Sequence, residues 1–206
     1  MSLDERLATG LEQMGLALSV EQRERLLAYI ALLQKWNKVY NLTAVRETEN
    51  MLYQHLLDSL AVLPYVGAGR LLDVGSGAGL PGIPLAIAQP ELQITLLDSN
   101  HKKTTFLRQA CIELELSKVA VECVRVDTYA PQQLFDAVIS RAFSDLSEFV
   151  RLSARLCRSG GTLLAMKGVY PHDELAQLPG EYHQVEVVSL NVPGLEAQRH
   201  LVIIRV

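Results

Sequence analysis

The sequence predicts an α/β fold, a mostly parallel seven-stranded sheet with a C-terminal antiparallel hairpin and an N-terminal helical extension. Three observations predict it. Residues 70–82 carry a short apolar run (Leu71, Leu72, Val74) straight into Gly75, Gly77, Gly79 and Gly82, as a strand feeding a tight turn with a helix behind it. From there to residue 167, apolar runs alternate with helical segments, the pattern of a parallel sheet covered by helices on both faces. Finally, 183–192 and 199–206 are both strand-like and joined only by a short loop at Pro193-Gly194.

The elements follow in order. Ser19 and Gln22 form a capping box, after which Leu26, Leu27, Ile30, Leu33 and Trp36 make one apolar helix face. A polar and aromatic turn runs from Trp36 to Arg46. A second helix is expected from about Thr48 to Leu63, stopped by Pro64. Gly67-Ala-Gly69 marks a junction, which divides the chain into a helical extension at 1–66 and a core at 67–206, packed as one structural unit. Strands are expected at 70–74, 92–97, 119–126, 135–140 and 161–167, with helices at 82–89, 101–116 and 144–157.

The glycine turn is flanked by two strand-end acids, Asp73 and, nineteen residues after Gly79, Asp98. Gly77-Ala-Gly79-Leu-Pro-Gly82 matches the dinucleotide fingerprint, and Asp98 lies near the distance of its ribose-binding acid. Asp73 counts against that reading, because a carboxylate beside the turn repels a pyrophosphate on the helix N-terminus. Two acids suit a nucleoside that carries a positive charge and no phosphate, and S-adenosylmethionine is the favoured candidate. Asp73 would attract its ammonium and sulfonium end, and Asp98 would accept hydrogen bonds from the ribose hydroxyls. A dinucleotide, or glycines that merely turn the chain, remain the alternatives.

Composition narrows the setting. At 206 residues, with 49% hydrophobic and 20% charged residues, the chain has material for a sizeable core. No apolar run approaches the roughly 18 residues that span a membrane. The N-terminus lacks a secretory apolar region, and Cys111, Cys123 and Cys157 lie far apart without a C-x-x-C pair. A cytoplasmic protein with neither disulfide frame nor metal site is expected. The net charge of −4 predicts no strong non-specific attraction to nucleic acid, so an RNA substrate would require locally concentrated positive charge.

Ligands of open α/β sheets bind at the carboxyl ends of the strands. Those ends supply Asp73 to Gly79, Asp98, Val126-Asp127, Ser140-Arg141 and Lys167-Gly168. Asp127 could accept a hydrogen bond from an adenine amino group, and the backbone at Val126 or Asp127 could pair ring nitrogens. Arg141 would lie where cofactor and substrate meet. Missing motifs narrow the reaction. Ile139 to Phe143 is not the Asp/Asn-Pro-Pro-Tyr of exocyclic amine methylation, and no cysteine follows a proline as in methylation of pyrimidine carbon. The favoured acceptor therefore has its own lone pair, such as guanine N7, and needs no general base. His55, Asp58 and Ser59 share a helix face and read as a buried polar cluster bracing that helix.

With these residues the chain resembles the bacterial small-subunit ribosomal RNA guanine-N7 methyltransferases, also called glucose-inhibited division protein B. The resemblance spans essentially the full length. It rests on Trp36 to Thr43, His55 to Ser59, Asp73 to Gly82, Leu97 to Ser99, Ser140 to Ala142, Lys167-Gly168 and Arg199-His200. It implies a Rossmann-like class I methyltransferase fold, S-adenosylmethionine as cofactor, and N7 methylation of one guanosine in 16S rRNA or the small ribosomal subunit; separately, a monomer is expected. The expected cofactor contacts are Asp73, Gly75, Gly77, Gly79, Leu80, Asp98, Val126, Asp127 and Arg141. Arg141 and Lys167 are the expected catalytic pair, and Asn41, Lys167, Arg199 and His200 the expected RNA contacts. The family pattern often has Glu before Arg-His where this chain has Gln198, which leaves open what positions Arg199. Competing readings are a methyltransferase of another acceptor, a binding module without turnover, and a dinucleotide oxidoreductase.

Overall fold

The computed structural model covers residues 1–206 and describes all of them except Ala142, Ser144 and His183. Seven strands form one sheet in the order β3-β2-β1-β4-β5-β7-β6. The first five are parallel: β1 (Arg70–Val74), β2 (Gln93–Leu97), β3 (Val119–Glu122), β4 (Phe135–Ser140) and β5 (Cys157–Lys167). β6 (Val185–Ser189) and β7 (His200–Arg205) are antiparallel, with β7 inserted between β5 and β6. This is the expected mostly parallel sheet with its terminal hairpin. The chain order reverses between β1 and β4, so the connections leaving their carboxyl ends run to opposite sides and leave a crevice above the sheet.

One sheet face is covered by α1 (Leu3–Gln13), α2 (Val20–Tyr40), α5 (Gly82–Ala88) and α6 (His101–Glu113). The other is covered by α7 (Leu146–Ser153), whose Leu146, Phe149 and Val150 meet Leu72, Val138 and Leu163. The expected capping box is present, Ser19 and Gln22 satisfying each other's backbone N–H groups, and Ser2 with Glu5 forms a second one at the start of α1. Gln22 has a second use. Its Nε2 donates to the carbonyls of Ile87 and Ala88, closing the C-terminus of α5 from α2. The larger of two apolar clusters runs from Leu7 in α1 to Leu201 in β7, so the N-terminal helices pack into the same core as the sheet.

Three elements depart from expectation. The helix after Thr48 is not uniform: α3 (Thr48–Met51) passes through a π turn at Leu52–Leu57 before α4 (Asp58–Leu60). Pro64 lies in a following 3-10 turn, Leu63–Tyr65. β3 ends at Glu122 rather than 126, because its partner runs out: Leu97 pairs with Glu122, and Asp98 N–H is the last donor to it. Residues 123–127 are thereby released from the ladder and pass over the crevice. The helix expected at 144–157 shortens to α7 plus a 3-10 turn at Ala154–Leu156, with Asp145 as its N-cap. The start expected at residue 144 lies outside the described residues.

Candidate active site

The loop from Gly75 to Gly82 is fixed from every side. Gly75 and Ser76 N–H groups donate to Leu97 O, Gly77 N–H donates to Asp98 Oδ2 at 2.9 Å, and Ser140 Oγ donates to Val74 O. Tyr29 reaches from α2 to donate its hydroxyl to Ala78 O at 2.7 Å. Gly79 has φ +91°, and a Cβ there would sit 2.5 Å from Ile83 Cδ1, so glycine is required both by the backbone and by the close packing of α5. At Gly82 a Cβ would press on Leu96 and lie 2.8 Å from Asp73 Oδ2.

The first turn of α5 is where a dinucleotide would seat its pyrophosphate. Here it is already occupied. Gly82 N–H donates to Asp73 Oδ2 at 3.0 Å, while Gly79 and Leu80 N–H groups donate to Ser76 O and Ile83 N–H to Gly79 O. No backbone donor in this turn is left for a phosphate among the described residues. The dinucleotide alternative fails on this geometry.

Asp73 itself departs from expectation. It is fully buried, lines none of the cavities described below, and holds Gly82 from behind the loop. Its Oδ1 is buried with no hydrogen-bond partner among the described residues. Burial pushes its pKa up to about 7, against the lowering effect of the Gly82 N–H. In this structure the carboxylate braces the turn through its Oδ2.

Three cavities open along the carboxyl edge. The first, about 360 Å³, is lined by Gly75, Asp98, Lys103, Val126, Asp127 and Phe143, among others. Asp98 is 8% exposed there; its two oxygens accept from Gly77 and Asn100 N–H groups, and their remaining lone pairs can accept from ligand hydroxyls. Asp127 is on the wall, though Arg125 grips its carboxylate at 2.7 Å and holds its pKa below the usual range. The Val126 carbonyl accepts from Arg155. The second cavity, about 190 Å³, lies between Leu42, Thr43, the loop residues Gly75, Gly77 and Leu80, and Arg141. The third, about 400 Å³, is lined by His55, Asp58, Arg141, Lys167, Arg199 and His200, among others.

Arg141 is shared by the second and third cavities, and its anchor was not foreseen. Arg141 Nη1 donates to Asp58 Oδ2 at 3.0 Å and to the Gln54 carbonyl at 3.1 Å. Asp58 Oδ1 accepts from Arg199 Nε at 2.7 Å. One carboxylate, 2% exposed, therefore holds two guanidinium groups, both of which line the third cavity. Gln54 lies in the π turn and Asp58 caps it, so both anchors of Arg141 come from this one irregular segment. The expected brace of His55, Asp58 and Ser59 is corrected in its main member: Asp58 lines the third cavity and pairs with Arg141 and Arg199. It also supplies the ion pair that Gln198 cannot. His55 is buried against Thr43 Oγ1 at 2.9 Å, and burial drops its pKa to about 4.

Lys167 lies at the end of β5 with Nζ on Glu174 Oε2 at 2.6 Å and on the Phe143 carbonyl. Glu174 also accepts the Leu146 N–H of α7, a role sequence reasoning missed. His200 Nδ1 is 2.9 Å from Gly168 O. Asn41 is not brought to the cavities. It terminates α2 in the left-handed conformation, φ 50°, and accepts from Arg46. Ala142, the last residue of the Ser-Arg-Ala motif, lies outside the described residues.

This arrangement agrees with the comparisons. Residues 22–202 match the family described as rRNA small subunit methyltransferase G. The chain belongs to that family. A protein of that name from Laribacter hongkongensis is 59% identical over 98% of both chains, and one from Chromobacterium violaceum is 56% identical over 95% of this chain and 94% of the other. Among solved structures, the S-adenosylmethionine-dependent methyltransferase SibL superposes with a TM-score of 0.61 at 17% identity, covering 82% of this chain and 61% of that one. A tRNA methyltransferase from Aquifex aeolicus gives 0.59 at 15% identity, covering 72% and 68%. The fold is therefore that of class I S-adenosylmethionine-dependent methyltransferases.

Proposed function

We propose that this protein transfers a methyl group from S-adenosylmethionine to N7 of one guanosine in 16S rRNA, acting as a monomer in the cytoplasm. The observation that carries the reading is the position of Arg141, on the wall shared by the glycine-loop cavity and the cationic third cavity. A donor in one and a base in the other would meet at that wall. Family membership supplies the rRNA.

The residues present fit the cofactor. Asp98 retains lone pairs for two ribose hydroxyls, Val126 and Asp127 form the wall an adenine would face, and Gly75, Gly77 and Leu80 leave room for the amino-acid end beside Arg141. Gly79 and Asp73 hold the loop in shape. When bound, S-adenosylmethionine supplies an electrophilic methyl on a sulfonium. Guanine N7 brings its own lone pair, so no residue needs to remove a proton. The chain's contribution is orientation and exclusion of water. Arg141 and Arg199, fixed by Asp58, would set the approach of the base, and Lys167 and His200 would hold its backbone. In this reading residues 1–66 are working parts of a core at 67–206, because Tyr29 and Asp58 come from the helical extension.

The test is transfer of radiolabelled methyl to ribosomal RNA or small subunits from cells lacking this protein. Label mapping to guanine N7 of 16S rRNA is expected. Cofactor binding without transfer to any RNA would move the reaction to another acceptor.

A further inference from the structure

Just beyond Lys167, the chain places an exposed apolar and aromatic step that packing does not explain. Val169 is 71% exposed and Tyr170 is 40% exposed, although both directly follow a buried strand. The Tyr170 ring is nonetheless held. His172 leans on it with ring centres 4.3 Å apart, and His200 meets it nearly edge-on at 5.6 Å and 82°. His200 is itself fixed, by its Nδ1 contact with Gly168 O and by pairing opposite Lys167 in the β5–β7 ladder. The same His200 lines the cationic cavity. The step is thus continuous with the acceptor site, one residue beyond its rim.

We infer that Tyr170, braced by His172 and His200, is a stacking site for an unpaired nucleobase adjacent to the methylated nucleotide. Three features favour a base over an apolar protein segment. The step combines aromatic and imidazole rings, which stack on any base face. It borders a cavity whose walls carry Arg141, Lys167, Arg199 and His200, which complement phosphates. Its rings are pre-set by mutual contact and by the Gly168 carbonyl, so little order is lost on stacking. A base splayed out of the RNA at this point would also help hold the target guanosine extended into the cavity.

This inference rests on the RNA reading above, and the experiment separates the two. RNA affinity of single-stranded oligonucleotides and methyl transfer to small subunits are measured in parallel for the wild type, Tyr170→Ala and Tyr170→Phe. Stacking on one ring predicts that Tyr170→Ala weakens RNA binding and raises the RNA KM roughly tenfold. Cofactor affinity and kcat should hold, and Tyr170→Phe should restore wild-type values within about threefold, because the ring face is kept. RNA affinity indifferent to Tyr170→Ala, in a protein that methylates RNA, overturns the stacking site alone. Equal losses in Ala and Phe overturn it too, since the hydroxyl and not the ring would then matter. A wild type that binds RNA through Tyr170 but transfers no methyl to it overturns the catalytic reading and, with it, the placement of the stacked base beside a methylated nucleotide, while leaving Tyr170 as a base-stacking residue.

Discussion

The two halves of the proposed site, one for the cofactor and one for the acceptor, are built in opposite ways. The cofactor half is local: Asp73, Gly75, Gly77, Gly79, Gly82 and Asp98 come from one β-α-β stretch, and most of their contacts are backbone hydrogen bonds within it. The acceptor half is assembled from distant segments. Asp58 meets Arg141 across 83 residues of chain and Arg199 across 141. The first depends on glycines that let the backbone fold tightly, the second on one buried carboxylate that finds two cations. A local site can be read from a motif; a convergent one has no motif to read.

The largest expected effect breaks the acceptor half alone. Asp58→Ala frees Arg141 and Arg199 from their common anchor, and displacement of positioning groups by about an ångström costs roughly 100-fold in turnover. Cofactor affinity by calorimetry should stay within about threefold if the halves are independent. A parallel loss of both would show that Arg141 transmits the damage into the cofactor cavity.

Asp98→Ala makes the complementary cut. Loss of charge-assisted hydrogen bonds should weaken cofactor binding by about 1–3 kcal/mol while RNA affinity holds. Unchanged cofactor affinity would remove Asp98 from its proposed role.

The smallest effect is a difference in pH dependence, because each half buries one titratable group of opposite sign. His55 has a folded pKa of about 4 against 6.5 unfolded, so its contribution is present above about 6.5 and lost as pH falls toward 4. Asp73 has a folded pKa of about 7 against 3.8, so its contribution is present below 3.8 and lost as pH rises toward 7. The two nearly cancel between pH 4 and 6.5. Denaturant unfolding should therefore show the wild type losing stability relative to His55→Gln by about 1 kcal/mol per pH unit of acidification across that window. It should gain relative to Asp73→Asn over the same range. Parallel curves for all three proteins would mean that neither group is held in the ionisation state its burial implies.

Legibility in the sequence followed the same division. Strand and helix order came through because short apolar runs and capping pairs such as Ser19 with Gln22 are local signals. Asp98 was recognisable from its spacing to the glycines, and Lys167, Arg199 and His200 stand at the third cavity where expected. The hold of Asp73 on the Gly82 N–H was not legible, because spacing does not say which backbone donor a strand-end carboxylate meets. Asp58 was legible as buried but not as an anchor, and Glu174 was not legible at all.

By itself the sequence determined the α/β class, the glycine loop and the acid after the second strand, since each depends on backbone conformation and spacing within a few turns of chain. Only the tertiary structure decided how far β3 runs, because that depends on where its partner ends. It alone decided that a π turn offers the Gln54 carbonyl to Arg141, and that α2 holds the loop through Tyr29. Above all it decided which cations share Asp58. A buried charge must be compensated by whichever opposite charge the fold brings within reach, and no local pattern encodes that distance.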